Sequence, residues 1–315
     1  MSERQALILG ATGGIGGATA RRLLDGGWRV RALVRGDAAR LDPRCEAVRG
    51  DARDAAAVTA AAMGAAAIVH AVNPPGYRDW AGQVLPMLDS TIAAARACGA
   101  RVVLPGTVYN YGPDAFPLLA EDSPQSPVTR KGAIRVELER RLGALAASGA
   151  ASVLIVRAGD FFGPGAANNW FAQGLVTPGA RPRVVRQPGQ RGVGHAWAYL
   201  PDVAETIARL LDRGDLPALA RYHLDGHWDS DGRRMVEAIV RVLGDPAVPI
   251  RRLPWWQLRL AALVAETPRE LMEMRYLWER PVRLDNARLV ATLGAEPRTP
   301  LPEAVRATLA SLGCG

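Results

Sequence analysis

Gly10, Gly13 and Gly16 fall at the spacing of a phosphate-holding turn in the run Gly10-Ala11-Thr12-Gly13-Gly14-Ile15-Gly16. The apolar run Ala6-Leu7-Ile8-Leu9 precedes them and a helix-length segment follows, which is the strand–turn–helix context such a turn needs. The first glycine permits the tight turn, the middle one admits a pyrophosphate, and the last lets helix and strand pack closely. Phosphates would rest on the free N–H groups at the helix start. Gly10, Thr12, Gly13, Gly14, Ile15 and Gly16 are therefore expected to contact a dinucleotide. At the end of the next apolar run, Arg29 to Val34, a carboxylate would be needed to bind two ribose hydroxyls. Val34 and then Arg35 stand there instead. A guanidinium pairs with a 2′-phosphate that a carboxylate would repel, so NADP is expected rather than NAD. Asp51, after the following short strand, is read either as an acceptor for the adenine amino group or as a helix N-cap.

Further along, Tyr109 and Tyr111 close the strand at 101–104, where parallel sheets place ligands. Each is a candidate phenol or a packed aromatic. Asp160 is a candidate acid/base or a loop cap. His195, Trp197 and Tyr199 alternate and so share one strand face. Together with Tyr77, Trp80, Asn168, Asn169 and Trp170 they are expected to line an aromatic, polar substrate pocket. His223 and His227 lack a third ligand, and Asp225-Gly226 between them reads as a turn, so no metal site is expected. The Trp255-Trp256 stretch with Leu258, Leu260 and Leu263 reads as a helix packed on the second region rather than a membrane anchor.

The elements that would position these residues alternate. Apolar runs at 5–10, 29–34, 66–71, 101–104 and 152–157 are separated by helix-length segments at 14–26, 54–63, 79–98 and 131–148. That order predicts βαβ units: an α/β, Rossmann-type doubly wound parallel sheet with helices on both faces. After residue 160 the pattern loosens, with helices expected near 201–213, 231–243, 254–265 and 302–312. The expected division is a dinucleotide-binding domain over 1–160 and a smaller, interleaved substrate-side region over 161–315.

Composition narrows the classes further. The 315 residues are 49% hydrophobic and 22% charged, which excludes disordered and disulfide-scaffold classes. The net charge of +8 comes from 38 arginines and one lysine, Lys131, spread evenly over the chain without a basic tail. No nucleic-acid partner is expected from that pattern. Cys45, Cys98 and Cys314 are an odd, scattered set, and no signal-peptide layout or membrane-length apolar run is present. A soluble, cytoplasmic protein with no membrane partner is the expectation.

The glycine run, Gly50-Asp51, Val69-His70-Ala71-Val72-Asn73, Thr107-Val108-Tyr109-Asn110-Tyr111-Gly112 and Arg157-Ala158-Gly159-Asp160-Phe161-Phe162-Gly163-Pro164 together resemble the extended short-chain dehydrogenase/reductases, the NAD(P)-dependent epimerases and dehydratases. Tyr199-Leu200-Pro201-Asp202-Val203-Ala204 and the tail from Leu293 to Leu301 extend the likeness over nearly the whole chain. The resemblance implies that Ala52, Ala71, Val72, Asn73, Ala158 and Asp160 surround the cofactor, and that dimers form through helices 79–98 and 131–148. Chemistry in that family rests on a Ser/Thr, a Tyr, and a Lys four residues after the Tyr. The Ser/Thr position matches Thr107, but the tyrosine position holds Lys131 and the lysine position Arg135; no tyrosine occurs in 112–198. Arg135 can hold ribose hydroxyls but cannot serve as an acid or base. Lys131 is left as a general acid, a binder of an anionic substrate group, or a solvated helix-start residue. Two functions follow. One is an NADP-dependent oxidoreductase moving hydride to or from a small carbonyl or hydroxyl compound, with Thr107 orienting the oxygen and Lys131, Tyr109 or Tyr111 handling the proton. The other is a non-catalytic NADP(H) sensor acting through a protein partner.

Overall fold

A computed structural model describes residues 4–74, 80–166 and 168–315. The first half runs β1 (Gln5–Leu9), α1 (Gly14–Asp25), β2 (Arg29–Val34), β3 (Glu46–Arg49), α2 (Ala55–Ala62), β4 (Ala67–His70) and α3 (Trp80–Cys98). Then come β5 (Arg101–Gly106), β6 (Leu118–Leu119), α4 (Arg130–Ala147), β7 (Val153–Arg157) and β8 (Asp160–Phe162). The remainder holds β9 (Val185–Gln187), β10 (His195–Tyr199), α5 (Leu200–Leu211), β11 (Leu219–His223), β12 (His227–Asp229) and α6 (Arg234–Leu243). It ends with β13 (Ile250–Arg252), α7 (Trp255–Ala261), α8 (Glu266–Glu273), β14 (Arg283–Leu284), α9 (Ala287–Leu293) and α10 (Leu301–Ser311).

Seven parallel strands form the main sheet in the order β11-β7-β5-β4-β1-β2-β3. Every residue of β1, β4 and β7 is buried, because helices cover both faces and each strand must be apolar on both sides. Alternation then sorts the side chains. Ala6, Ile8, Val69, Leu154 and Val156 pack towards α1 and α5, and Leu7, Leu9, Ile68, Val153 and Ile155 towards α2, α3 and α4. Gly99 (φ +70°) and Gly149 (φ +71°) end α3 and α4 in the left-handed conformation that a side chain resists. The doubly wound parallel sheet expected from the sequence is the sheet observed.

The direction of winding reverses between β1 and β4, which opens a crevice at their carboxyl ends. The seventh strand, β11, comes from the second half of the chain. A smaller layer packs beyond it, made of the sheet β12-β10-β8 and the pairs β13-β9 and β14-β6. Phe162, Phe171, Trp197, Tyr199 and Trp278 fill the core of this layer. Helices α8 and α9 have no counterpart in the periodicity of the sequence. Among the described residues no helix is long and apolar enough to cross a membrane.

Candidate functional site

A cleft of about 650 Å³ lies at the crevice, lined by the loops that follow β1, β2, β3, β4 and β5 and by residues 159–161, 165–166 and 168–170. Its floor is the glycine turn. Gly10 has φ +90°, and a Cβ there would stand 2.5 Å from the Ala71 carbonyl oxygen. A Cβ on Gly16 would stand 2.2 Å from the Gly10 oxygen, so Gly16 serves helix–strand packing and does not line the cleft. A Cβ on Gly13 would meet only the Gly10 oxygen, at 3.3 Å. No side chain caps α1, so its first-turn N–H groups are available to an anion. Gly10, Thr12, Gly13, Gly14 and Ile15 line this end with Ala71, Val72 and Asn73. The cradle fits a dinucleotide pyrophosphate.

At the adenosine end, Val34 is buried and Arg35 is exposed on the cleft wall with Arg40 and Arg53. Asp51 and Ala52 lie there too. Arg53 Nη2 donates to Asp51 Oδ2 at 2.8 Å and its Nε to Oδ1 at 3.2 Å. That bonding holds the Asp51 carboxyl down at about 2. Asp51 is not the cap of α2: Asp54 accepts from the N–H groups of Ala56 and Ala57, at 2.9 and 3.1 Å. The reason is that α2 begins at Ala55, one residue past Asp54.

At the other end, Thr107, Tyr109, Arg135, Asp160, Asn168, Asn169 and Trp80 line the cleft. Thr107 starts a 3₁₀ turn, Val108–Asn110. Its carbonyl accepts from Arg157 Nη1 at 2.5 Å. Arg157, buried, also donates from Nη2 to both oxygens of Glu139 at 2.8 Å and from Nε to His223 Nε2 at 3.1 Å. Because His223 Nε2 accepts that bond, its Nδ1–H donates to the Leu119 carbonyl at 3.1 Å. Burial, with Arg157 beside it, pushes His223 down to about 3. His223 thus fixes the floor under Thr107. Arg135 Nη2 donates to Asn73 Oδ1 at 2.9 Å, and its guanidinium lies 5.1 Å over the Trp80 ring. His70, also on the wall, bonds through Nδ1 to Thr91 Oγ1 at 2.8 Å. Asn169 ties its own loop, donating to the Ala166 carbonyl and accepting from Ala172 N–H; Asn168 accepts from Gln173.

Seven expected site residues lie off the cleft: Gly16, Tyr111, Lys131, Ala158, His195, Trp197 and Tyr199, the last packed in the second core. Tyr111 is fully buried in the second core, with Arg157 5.0 Å over its ring, and burial raises its phenol. Lys131 is 3% exposed and ion-paired with Glu270, with Glu273 Oε2 at 3.9 Å. Helix α8 supplies both acids, so Lys131 is not solvated; it does not line the cleft, and its Nζ lies 5.8 Å over the ring of Trp80, which does. Trp197 packs against Phe162 and Trp278. His195 stacks on Trp278, centroids 3.8 Å apart, and its Nε2 lies 2.8 Å from Asp160 Oδ2. Ala158 is buried just behind the wall, and Tyr77 lies outside the described residues. No cluster of three metal-ligating residues occurs among the described residues.

The pairing of Asp160 with His195 escapes sequence reasoning because it depends on the parallel register of β8 and β10, which sets Asp160 beside Trp197 across 37 residues of chain. Arg40 and Arg53, in the loops that follow β2 and β3, carry no sequence signal that separates them from the chain's other arginines.

Residues 6–220 match the family model described as the NAD dependent epimerase/dehydratase family. A search of curated proteins finds no significant match. Among solved structures, the chain is similar to the UDP-glucose 4-epimerase from Bifidobacterium longum in complex with NAD+ and UDP. The TM-score is 0.75 at 14% identity, covering 98% of this chain and 97% of that one. MoeE5 in complex with UDP-glucose and NAD superposes with a TM-score of 0.73 at 19% identity, over 98% of each chain. DesIV, a dTDP-glucose 4,6-dehydratase from Streptomyces venezuelae with NAD bound, gives 0.72 at 21% identity over 98% of this chain and 96% of that one.

Proposed function

The chain belongs to the NAD dependent epimerase/dehydratase family and is an NAD(P)-dependent enzyme of the short-chain dehydrogenase/reductase type, and we propose that it uses NADP to oxidise or reduce a small carbonyl or hydroxyl compound. The observation that carries the NADP reading is Arg35 on the cleft wall where β2 ends, with Arg40 and Arg53 on the same wall. Two acids share that wall: Asp51 is bonded to Arg53, and Asp37 accepts from the Ala39 N–H. A 2′-phosphate would meet three guanidinium groups there, against the two carboxylates of Asp37 and Asp51. The solved relatives named above hold NAD, so this end is where the chain would depart from them.

When bound, the nicotinamide supplies hydride acceptance or donation. The chain's own residues must orient the substrate oxygen and move its proton. The first task is assigned to Thr107, a reading supported by its place on the cleft wall after β5 and by the Arg157 bond at its carbonyl. Arg135, steadied by Asn73 and Trp80, would hold ribose hydroxyls. Neither occupant of the family's tyrosine and lysine positions offers a proton carrier to the cleft, since Lys131 is sealed by α8 and Arg135 stays protonated.

Asp160 is the carboxylate at this end of the cleft, with His195 behind it. In the oxidative direction Asp160 would accept the substrate's O–H proton, while a bound nicotinamide would supply the hydride acceptor. Tyr109, half-buried on the same wall, is the second candidate carrier. The pocket at this end is bounded by Trp80, Phe161 and Trp170, which suits a small or partly apolar substrate.

NADPH consumption against a panel of aldehydes and ketones, with product identified by mass, tests this reading. Turnover with at least one member is expected. NADPH binding without turnover of any carbonyl or alcohol would favour the sensor reading instead.

A further inference from the structure

We propose that α7 and the turn after it form a peripheral docking face for an anionic lipid surface. The sequence reads residues 254–265 as a helix packed on the second region, and only half of it packs. Trp255 turns inward: its Nε1 donates to the Pro188 carbonyl at 2.8 Å, and its ring lies 5.9 Å from that of Trp170. Trp256, Leu260, Leu263 and Val264 turn outward and are between 59% and 89% exposed. They are half of the eight large apolar side chains exposed among the described residues, and the other four are scattered over the chain. Their spacing of i, i+4, i+7 and i+8 puts them on one stripe. Turn bonds from Leu263 N–H to Leu260 and from Val264 N–H to Ala261 carry that stripe past the end of α7.

Charge selects the occupant. Residues 246–265 contain Arg251, Arg252 and Arg259 and no aspartate or glutamate. Arg186 stands opposite Arg251 across the β9–β13 pair. All four arginines are exposed, and none makes an ion pair among the described residues. A second copy of the chain docked through this segment would bring two Arg259 side chains onto one interface, with Arg251 and Arg252 adding like charge nearby in the chain. Phospholipid headgroups instead complement them, while tryptophan and leucine side chains enter the headgroup–acyl boundary. The proposal is independent of the cofactor reading, because none of these residues lines the cleft.

Co-sedimentation of the full chain with phosphatidylcholine vesicles, with and without phosphatidylglycerol, tests it. Binding is expected to the anionic vesicles only and to weaken in high salt. The Trp256→Ser/Leu263→Ser variant should bind at least roughly tenfold more weakly with an unchanged melting temperature. Two results would overturn the proposal. One is absence of vesicle binding by the wild type. The other is a concentration-dependent dimer, measured by light scattering without lipid, that disappears in the same variant while vesicle binding is absent.

Discussion

Asp160 Oδ2 lies 2.8 Å from His195 Nε2, which joins a carboxylate on the cleft wall to an imidazole stacked on Trp278 in the second core. His195 Nδ1 is buried with no hydrogen-bond partner among the described residues. The imidazole therefore has one polar contact, and that contact fixes the carboxylate. Among the described residues that line the cleft, Asp160 and Tyr109 are the two proposed for the role vacated by the missing tyrosine.

If Asp160 moves the proton, Asp160→Asn should lower kcat by about 10²–10⁴-fold on whichever carbonyl is accepted, with NADPH binding unchanged. His195→Gln, altering a positioning residue, should cost less in kcat and leave NADPH binding unchanged. Stopped kinetics and a thermal-shift titration with NADPH check both. Loss of NADPH binding in Asp160→Asn would mean that the carboxylate serves the fold or the cofactor. Full activity in that variant would pass the role to Tyr109, to be read in Tyr109→Phe.

Lys131 makes a contrasting case. Its ammonium is buried against Glu270 and lies 5.8 Å over Trp80. Lys131→Met removes one partner of a largely desolvated pair and should cost on the order of 3 kcal/mol in stability. The double variant Lys131→Met/Glu270→Gln should recover part of that loss. Urea unfolding measures it, and NADPH should still bind. Unchanged stability with abolished turnover would return Lys131 to the chemistry.

Three histidines set the response to acid. Burial holds His70 and His223 down to about 3 and His227 to about 4, against 6.5 in the unfolded chain. The unfolded state thus binds more protons at low pH. Their contribution to stability is full above about pH 6.5 and is lost as pH falls from there towards 4, by roughly 1.4 kcal/mol per pH unit for each histidine. Urea unfolding at pH 7, 6 and 5 on the wild type, and on His223→Gln with its shallower expected slope, measures this. A stability flat across that range would contradict the buried neutral histidines.

How much of this was legible in the sequence follows from how local each signal is. The glycine turn, Arg35 and the sheet were readable because turn, strand end and periodicity are set by neighbours in the chain. Lys131 was not, because its partners arrive from α8, 139 and 142 residues away. Asp160 reads as a candidate from the sequence, but its partner His195 reads only as a pocket residue, because alternation tells which residues share a face and not what that face meets. Trp255 and Trp256 illustrate the same limit: adjacent and identical, they point to opposite environments.

The central claim is NADP dependence through Arg35, and calorimetric titration of the wild type with NADPH and with NADH tests it most directly. NADPH should bind at least about tenfold tighter, a difference of roughly 1.4 kcal/mol, and Arg35→Ala should erase that preference while leaving NADH affinity unchanged. Equal affinities, or a preference for NADH, in the wild type would contradict it.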